Sequence, residues 1–154
     1  MYHELSKETG EFFDFMVEHE LFDLETKPGK QTGGYCTFLN TFKAPFIFSN
    51  FNGTSADVDV LTHEAGHAFE AYTAAKQIMD MVFPTSEVAE IHSMTMEHFA
   101  YPWMNAFFGE KADDYRYAHL MSALEVIPYM VCVDEFQHKV FENIGMTAKE
   151  RRAI

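Results

Sequence analysis

Between residues 6 and 24, the apolar positions Phe12, Phe13, Phe15, Met16, Leu21 and Phe22 alternate with acidic ones. A serine able to cap stands at the start, and the spacing predicts an amphipathic helix. Pro28, Gly29, Gly33 and Gly34 then break the pattern. The stretch "CTFLNTFKAPFIFSNFNGT" is rich in Phe, Thr and Ile and poor in helix formers. It predicts one or two short strands, "FIFSNF" the clearest, ending at an Asn52-Gly53 turn. From Ser55 the apolar residues Val58, Leu61, Ala65, Ala68, Phe69 and Tyr72 return at steps of three and four, which predicts a second helix. Pro84 ends or follows it. Another helix is expected from "PTSEVAEIHSMTMEHFAYPW", with Thr85 or Ser86 as its cap, Glu87 in its first turn and Pro102 as a kink or stop. A further long helical segment spans 112–145, bent near Pro128 and stopped at Gly145. The expected fold is mainly α, an α+β arrangement with a small β-element.

Composition narrows the classes. The 154 residues carry a net charge of −13 and a pI near 4.9. An acidic surface repels phosphate, so nucleic acid and anionic membranes are excluded as partners. Apolar residues make up 47% of the chain, yet no run reaches the roughly 18 needed to cross a bilayer. The opening "MYHELSKETG" has no basic region followed by an apolar one, so no secretory signal is read there. Cys36 and Cys132 lie far apart in unlike contexts and read as free, buried thiols of a cytoplasmic protein, with a disulfide between them as the alternative.

The chemistry concentrates in "VLTHEAGHAFEAY". Residues four apart on a helix differ by about 40° around the axis, so His63 and His67 share a face and can hold one cation together. Glu64 is rotated about 100° from His63. It is badly placed as a ligand, but its carboxylate can reach a water at the metal. Two imidazoles and a carboxylate suit zinc, and the pattern is a metalloprotease signature. Three fixed positions also arise by chance in a chain with eight histidines. A catalytic site needs a third ligand, and Glu87, Glu90, His92, Glu97 and His98 are the candidates downstream. Glu90 and Glu97 are seven apart, which leaves them about 20° apart on one face. Glu90 could meet the metal, and Glu97 could accept a hydrogen bond from a ligand imidazole or be a solvated acid. His92 and His98 point elsewhere on that helix and are expected to make ordinary polar contacts.

Here the sequence resembles the oligoendopeptidase F and thimet oligopeptidase group of zinc metallopeptidases. "HEAGHAFEAY" is similar to the family's zinc helix and "EVAEIHSMTMEHF" to its third-ligand helix, in which the glutamate of "AEI" binds zinc; that residue is Glu90. "GKQTGGYCTFL", "PFIFSNFNGT" and "IPYMVCVDEFQHKVFEN" match upstream and downstream stretches of the oligoendopeptidase F branch. The resemblance implies a zincin-like catalytic segment, with one zinc on His63, His67 and Glu90 and Glu64 as the general base, in a metalloendopeptidase of gluzincin type that hydrolyses short peptides. It implies strand-like pairing with substrate beside the zinc helix, for which Gly33, Gly34 and Tyr35 are candidates; a Gly-rich turn with no such role is the alternative.

Almost the whole chain is covered, but only as the central segment of a longer fold, so residues 1–154 read as a single partial catalytic domain. The family's later stretch, whose His and Tyr residues stabilise the tetrahedral oxyanion, has no counterpart within these residues. Two further readings stay open: a helical domain that binds zinc without turning over peptide, and an acidic interaction domain with an accidental motif. Self-association through exposed apolar surface is also expected, with "FFDFM" and "WMNAFF" as the segments.

Overall fold

The computed structural model describes residues 1–75, 83–86 and 88–154. It divides into two compact units, Met1–Gly109 and Glu110–Ile154.

The first unit opens with α1 (Tyr2–Leu5) and α2 (Lys7–Glu18). Ser6 caps α2 as its side chain suggests. Its hydroxyl accepts the Thr9 N–H at 3.1 Å, and Thr9 Oγ1 returns the favour to the Ser6 N–H at 3.1 Å. The helix ends six residues earlier than the hydrophobic pattern predicts. Glu20 adopts a left-handed φ of 54°, the Leu21 N–H reaches the Met16 carbonyl at 2.9 Å, and the Glu20 N–H reaches Val17 at 3.2 Å. This is a Schellman ending, with Leu21 packed in the same buried cluster as Met16. Because glutamate stands where glycine is usual, the stop is silent in the sequence. Leu21 and Phe22 are apolar because they feed the core, not because the helix continues.

The chain then runs into β1 (Phe22–Asp23), β2 (Gly34–Leu39) and β3 (Ala44–Ser49). The sheet order is β1-β3-β2, with β1 parallel and β2 antiparallel to β3. β3 is therefore the central strand and β2 an edge. After the turn, Asp57 accepts the N–H groups of Asn52 and Gly53 at 3.0 and 2.7 Å, and Gly53 has φ +83°. That clamp sets the start of α3 (Ala56–Ala74).

α4 spans Ala89–Phe99. Its cap position is Val88, with no side-chain hydrogen bond, rather than Thr85 or Ser86; the expected first-turn acid Glu87 lies outside the described residues. A 3₁₀ turn at Tyr101–Trp103 containing Pro102 follows, so the proline marks a stop, and α5 (Met104–Phe108) closes the unit.

The core of this unit joins α2, β3, α3 and α4 through Phe12, Met16, Ile47, Ala65, Ala68 and Met96. Phe12 meets Phe69 and Tyr72 at ring-centroid distances of 5.5 and 5.6 Å. Fully removing a side chain such as Phe12, Met16 or Ile47 from water stabilises by roughly 1.5–3 kcal/mol. The expectation of an exposed patch at "FFDFM" fails here: Phe12 and Met16 are fully buried and Phe13 and Phe15 pack on the core. In "WMNAFF", Met104 is buried and Phe107 is exposed.

The second unit is dominated by α6 (Ala112–Glu142), which carries Pro128 inside it, followed by α7 (Ala148–Arg151). α6 ends at Asn143, whose side chain donates to the Lys139 carbonyl at 3.0 Å, two residues before the predicted Gly145. Cys36 and Cys132 are both free; Cys36 is partly buried, but Cys132 is exposed, contrary to the buried expectation. Among the described residues no helix is long and apolar enough to cross a membrane.

Candidate metal centre

The site lies wholly in the first unit, where α3 and α4 touch. Their contact point is Gly66. A Cβ there would stand 2.6 Å from the Ser93 Cα and 2.8 Å from the His92 carbonyl oxygen. The lack of a side chain inside the His-Glu-x-x-His stretch thus lets α4 approach closely enough for its carboxylates to reach the histidines. His63 pairs with Glu97, and His67 with His92 and Glu90. Partners descend along α4 as the histidines ascend α3, so the helices run in opposite senses here.

Three ligand-type atoms converge. His63 Nε2 and His67 Nε2 are 3.2 Å apart, and Glu90 Oε2 lies 3.0 Å from the first and 3.3 Å from the second. Among the described residues these are the side chains grouped as a metal cluster. Each ligand imidazole also has a partner at its outer nitrogen. His63 Nδ1 donates to Glu97 Oε1 at 2.6 Å, and His67 Nδ1 lies 2.9 Å from His92 Nε2. In the tautomer with a proton on each Nδ1, both Nε2 atoms present lone pairs toward each other and toward a carboxylate oxygen. Three electron-rich atoms so close repel unless a cation or a proton lies among them. Tetrahedral zinc with bonds of about 2.0–2.1 Å separates its ligands by about 3.3 Å, so the donor set fits that ion.

The carboxylate of Glu90 is steadied by Ser93, whose buried hydroxyl donates to Oε2 at 2.7 Å. The sequence signals Ser93 only through its i+3 spacing from Glu90. Burial pushes the Glu90 acid up, but Ser93 and the neighbouring histidines outweigh it and hold its pKa below the ordinary value. Burial pulls His63 down, yet the carboxylates of Glu97, Glu64 and Glu90 together more than reverse this and leave the pKa raised. His67 is lowered by burial and by the neighbouring His63 and His92, against the opposing pull of Glu90.

Glu64 is buried beside the triad, and burial raises its pKa; His63 and the Cys36 backbone pull in the other direction without cancelling the rise. It lines a cleft of about 330 Å³ with Gly34, Tyr35, His63, His67 and Glu90. Gly34 opens β2, pairs with Ser49 and sits under Val60, whose Cγ1 is 2.4 Å from where a Cβ would be. Gly33 has φ +93° and serves the turn, while the half-exposed Tyr35 stacks on Phe48 at 5.0 Å. Of the stretches expected to pair with an extended peptide, "FIFSNF" is excluded at Ile47 and Phe48, because β3 is hydrogen-bonded on both sides there. β2 has no further strand beyond it among the described residues.

His92 does not point away from the site as expected. His98 does, and packs edge-on against Tyr101 at 5.0 Å. His92 also lines the far wall of a larger apolar groove of about 880 Å³ between α1, α2, α3 and α4, a groove that contains none of His63, Glu64, His67 and Glu90.

Residues 3–152 match the model for Peptidase family M3. The chain belongs to that family. Its fold superposes on an oligoendopeptidase F, provisionally so assigned, from Bacillus anthracis str. Ames, with 57% identity and a TM-score of 0.90 over 99% of this chain and 28% of that one. A structure of Pz peptidase A with an inhibitor gives 59% identity and a TM-score of 0.89 over 97% of this chain and 27% of the other. A peptidase from Chlamydophila abortus at 20% identity, TM-score 0.69, shares the fold. The comparison with curated proteins gave no match. This M3 segment therefore spans about a quarter of the length of the solved structures it matches, and its mainly helical, zincin-like architecture with a small sheet is the one they share.

Proposed function

We propose that this segment carries the metal-binding and proton-transfer groups of a zinc-dependent endopeptidase of gluzincin type acting on short peptides, as part of one catalytic domain. The observation that carries the reading is the triangle of His63 Nε2, His67 Nε2 and Glu90 Oε2, with sides of 3.0–3.3 Å, beside the buried Glu64. When bound, zinc would act as a Lewis acid, polarising the scissile carbonyl and acidifying a water. His63, His67 and Glu90 would hold it, and Glu97 would orient His63 through Nδ1. Glu64 would take the proton of the attacking water and deliver it to the leaving amine, a task helped by its raised pKa. The open edge of β2, from Gly34 through Tyr35, would align an extended peptide by backbone pairing. The free cysteines fit a reducing cytoplasm.

The test is zinc content of the purified chain by elemental analysis, followed by turnover of a quenched fluorescent peptide. One zinc per chain with hydrolysis supports the reading; no zinc uptake under saturating metal overturns it. A second reading, a zinc-holding segment that does not turn over peptide, is favoured by the quarter-length coverage of the matched structures. Bound zinc without hydrolysis selects it.

A further inference from the structure

Glu90 and His92 are two residues apart, so they lie about 200° apart around α4. They nevertheless approach the same ring. Glu90 Oε2 is 3.3 Å from His67 Nε2, while His92 Nε2 is 2.9 Å from His67 Nδ1. The rings of His67 and His92 meet edge-to-face, with centroids 4.9 Å apart. An imidazole carries its two nitrogens on opposite sides, so a ring wedged against α4 can be gripped from both flanks of that helix. The two histidines of the metal motif are thus held differently. His63 leans on a carboxylate, Glu97; His67 leans on an imidazole, His92. Glu64, Glu90 and Glu97 already bring three carboxylates to the site, and an imidazole partner orients His67 without adding a fourth carboxylate.

We propose that His92 is a positioning residue whose Nε2 accepts the Nδ1–H of His67, fixing the ring so that His67 Nε2 faces His63 and Glu90. This rests on the zinc reading of the site. The role requires one lone pair at one place. A phenyl ring fills similar space without it, and a glutamine side chain can put a carbonyl oxygen near the position of Nε2. Orienting partners of metal-bound histidines are worth about 10–100-fold in metal affinity.

The experiment measures zinc affinity by competition with a chromogenic chelator for the wild-type chain, His92→Phe and His92→Gln, with thermal melts of each metal-free form. It also measures, in the ¹⁵N-labelled wild-type chain, the through-hydrogen-bond coupling between His67 Nδ1 and His92 Nε2. The expected result is a loss of about 10–100-fold for His92→Phe, affinity near wild type for His92→Gln, and a resolved coupling. Equal zinc affinity for wild type and His92→Phe overturns the proposal. A purely structural role would lower the melting temperature of both variants without restoring affinity in His92→Gln, and that pattern overturns it as well. If His92→Phe does not fold, the coupling decides: its absence, or a proton bonded to His92 Nε2 instead of His67 Nδ1, overturns the proposal, and its presence with the proton on His67 Nδ1 sustains it. If the wild-type chain takes up no zinc, the metal reading has failed, and the coupling still reports separately on the His67–His92 contact.

Discussion

The Cα of Ser93 lies 2.6 Å from the point where a Cβ on Gly66 would stand. That contact is with backbone, which cannot swing aside, and it is what brings α4 within reach of both histidines. Gly66→Ala therefore sets two effects against each other. Alanine is favoured over glycine inside a helix by about 1 kcal/mol, but forcing apart two packed helices costs typically 1–3 kcal/mol. We expect the clash to win, with a lower melting temperature and a fall in zinc affinity as Glu90 recedes from His63. A melt and a zinc titration of the variant check this; a more stable protein with unchanged affinity would refute it.

Glu64→Gln should retain zinc and lose whatever hydrolysis the chain performs, because the amide cannot accept a proton from water. His67→Ala should lose the metal as well. Zinc analysis beside the peptide assay separates the two variants, and full turnover by Glu64→Gln would show that the proton goes elsewhere.

The pKa shifts predict how the metal-free chain responds to pH. His63 is raised in the fold: burial lowers it, but Glu97, with Glu64 and Glu90, outweighs that. With both nitrogens protonated it can donate to Glu97 and Glu90 at once. This group's stabilising contribution is fully present below the unfolded histidine pKa and is lost as pH rises through the raised folded value. His67 is lowered, so its contribution has the opposite sign and is lost as pH falls. Comparing melts of wild type and Glu97→Gln across this range isolates His63: the difference should be largest at acidic pH and shrink on going alkaline. A difference that grows with pH would contradict the assignment.

Zinc binding should run the other way. Protons compete for the same Nε2 lone pairs, so affinity should fall on acidification, beginning at a higher pH than an unperturbed histidine would give because His63 holds its proton. A chelator-competition titration against pH measures it; an affinity flat across the histidine range would mean that these rings are not ligands.

The unit Glu110–Ile154 exposes Tyr117, Leu120, Leu124, Ile127 and Val131 along α6. Apolar surface of this kind promotes association. The 154-residue chain should self-associate, and Leu124→Glu should shift it toward monomer. Light scattering of both proteins is the check, with a clean wild-type monomer as the contrary result.

What could be read from sequence alone was what depends on neighbours a few residues away. The Ser6 cap, the α3 helix and the shared face of His63 and His67 follow from backbone geometry that repeats every 3.6 residues. The acidic balance and the resemblance to oligoendopeptidase F also lay in the chain itself, and the latter singled out Glu90. The early end of α2 did not show, because Glu20 takes a left-handed conformation that the buried packing of Leu21 on Met16 supports and its own residue type does not announce. Nor could local pattern say that β3 is central, since strand order comes from pairing between distant segments. His92 is the clearest case. A helical wheel sets it opposite Glu90 and away from the site. Only the close crossing at Gly66, which wedges a two-sided imidazole against α4, lets both flanks of that helix grip His67.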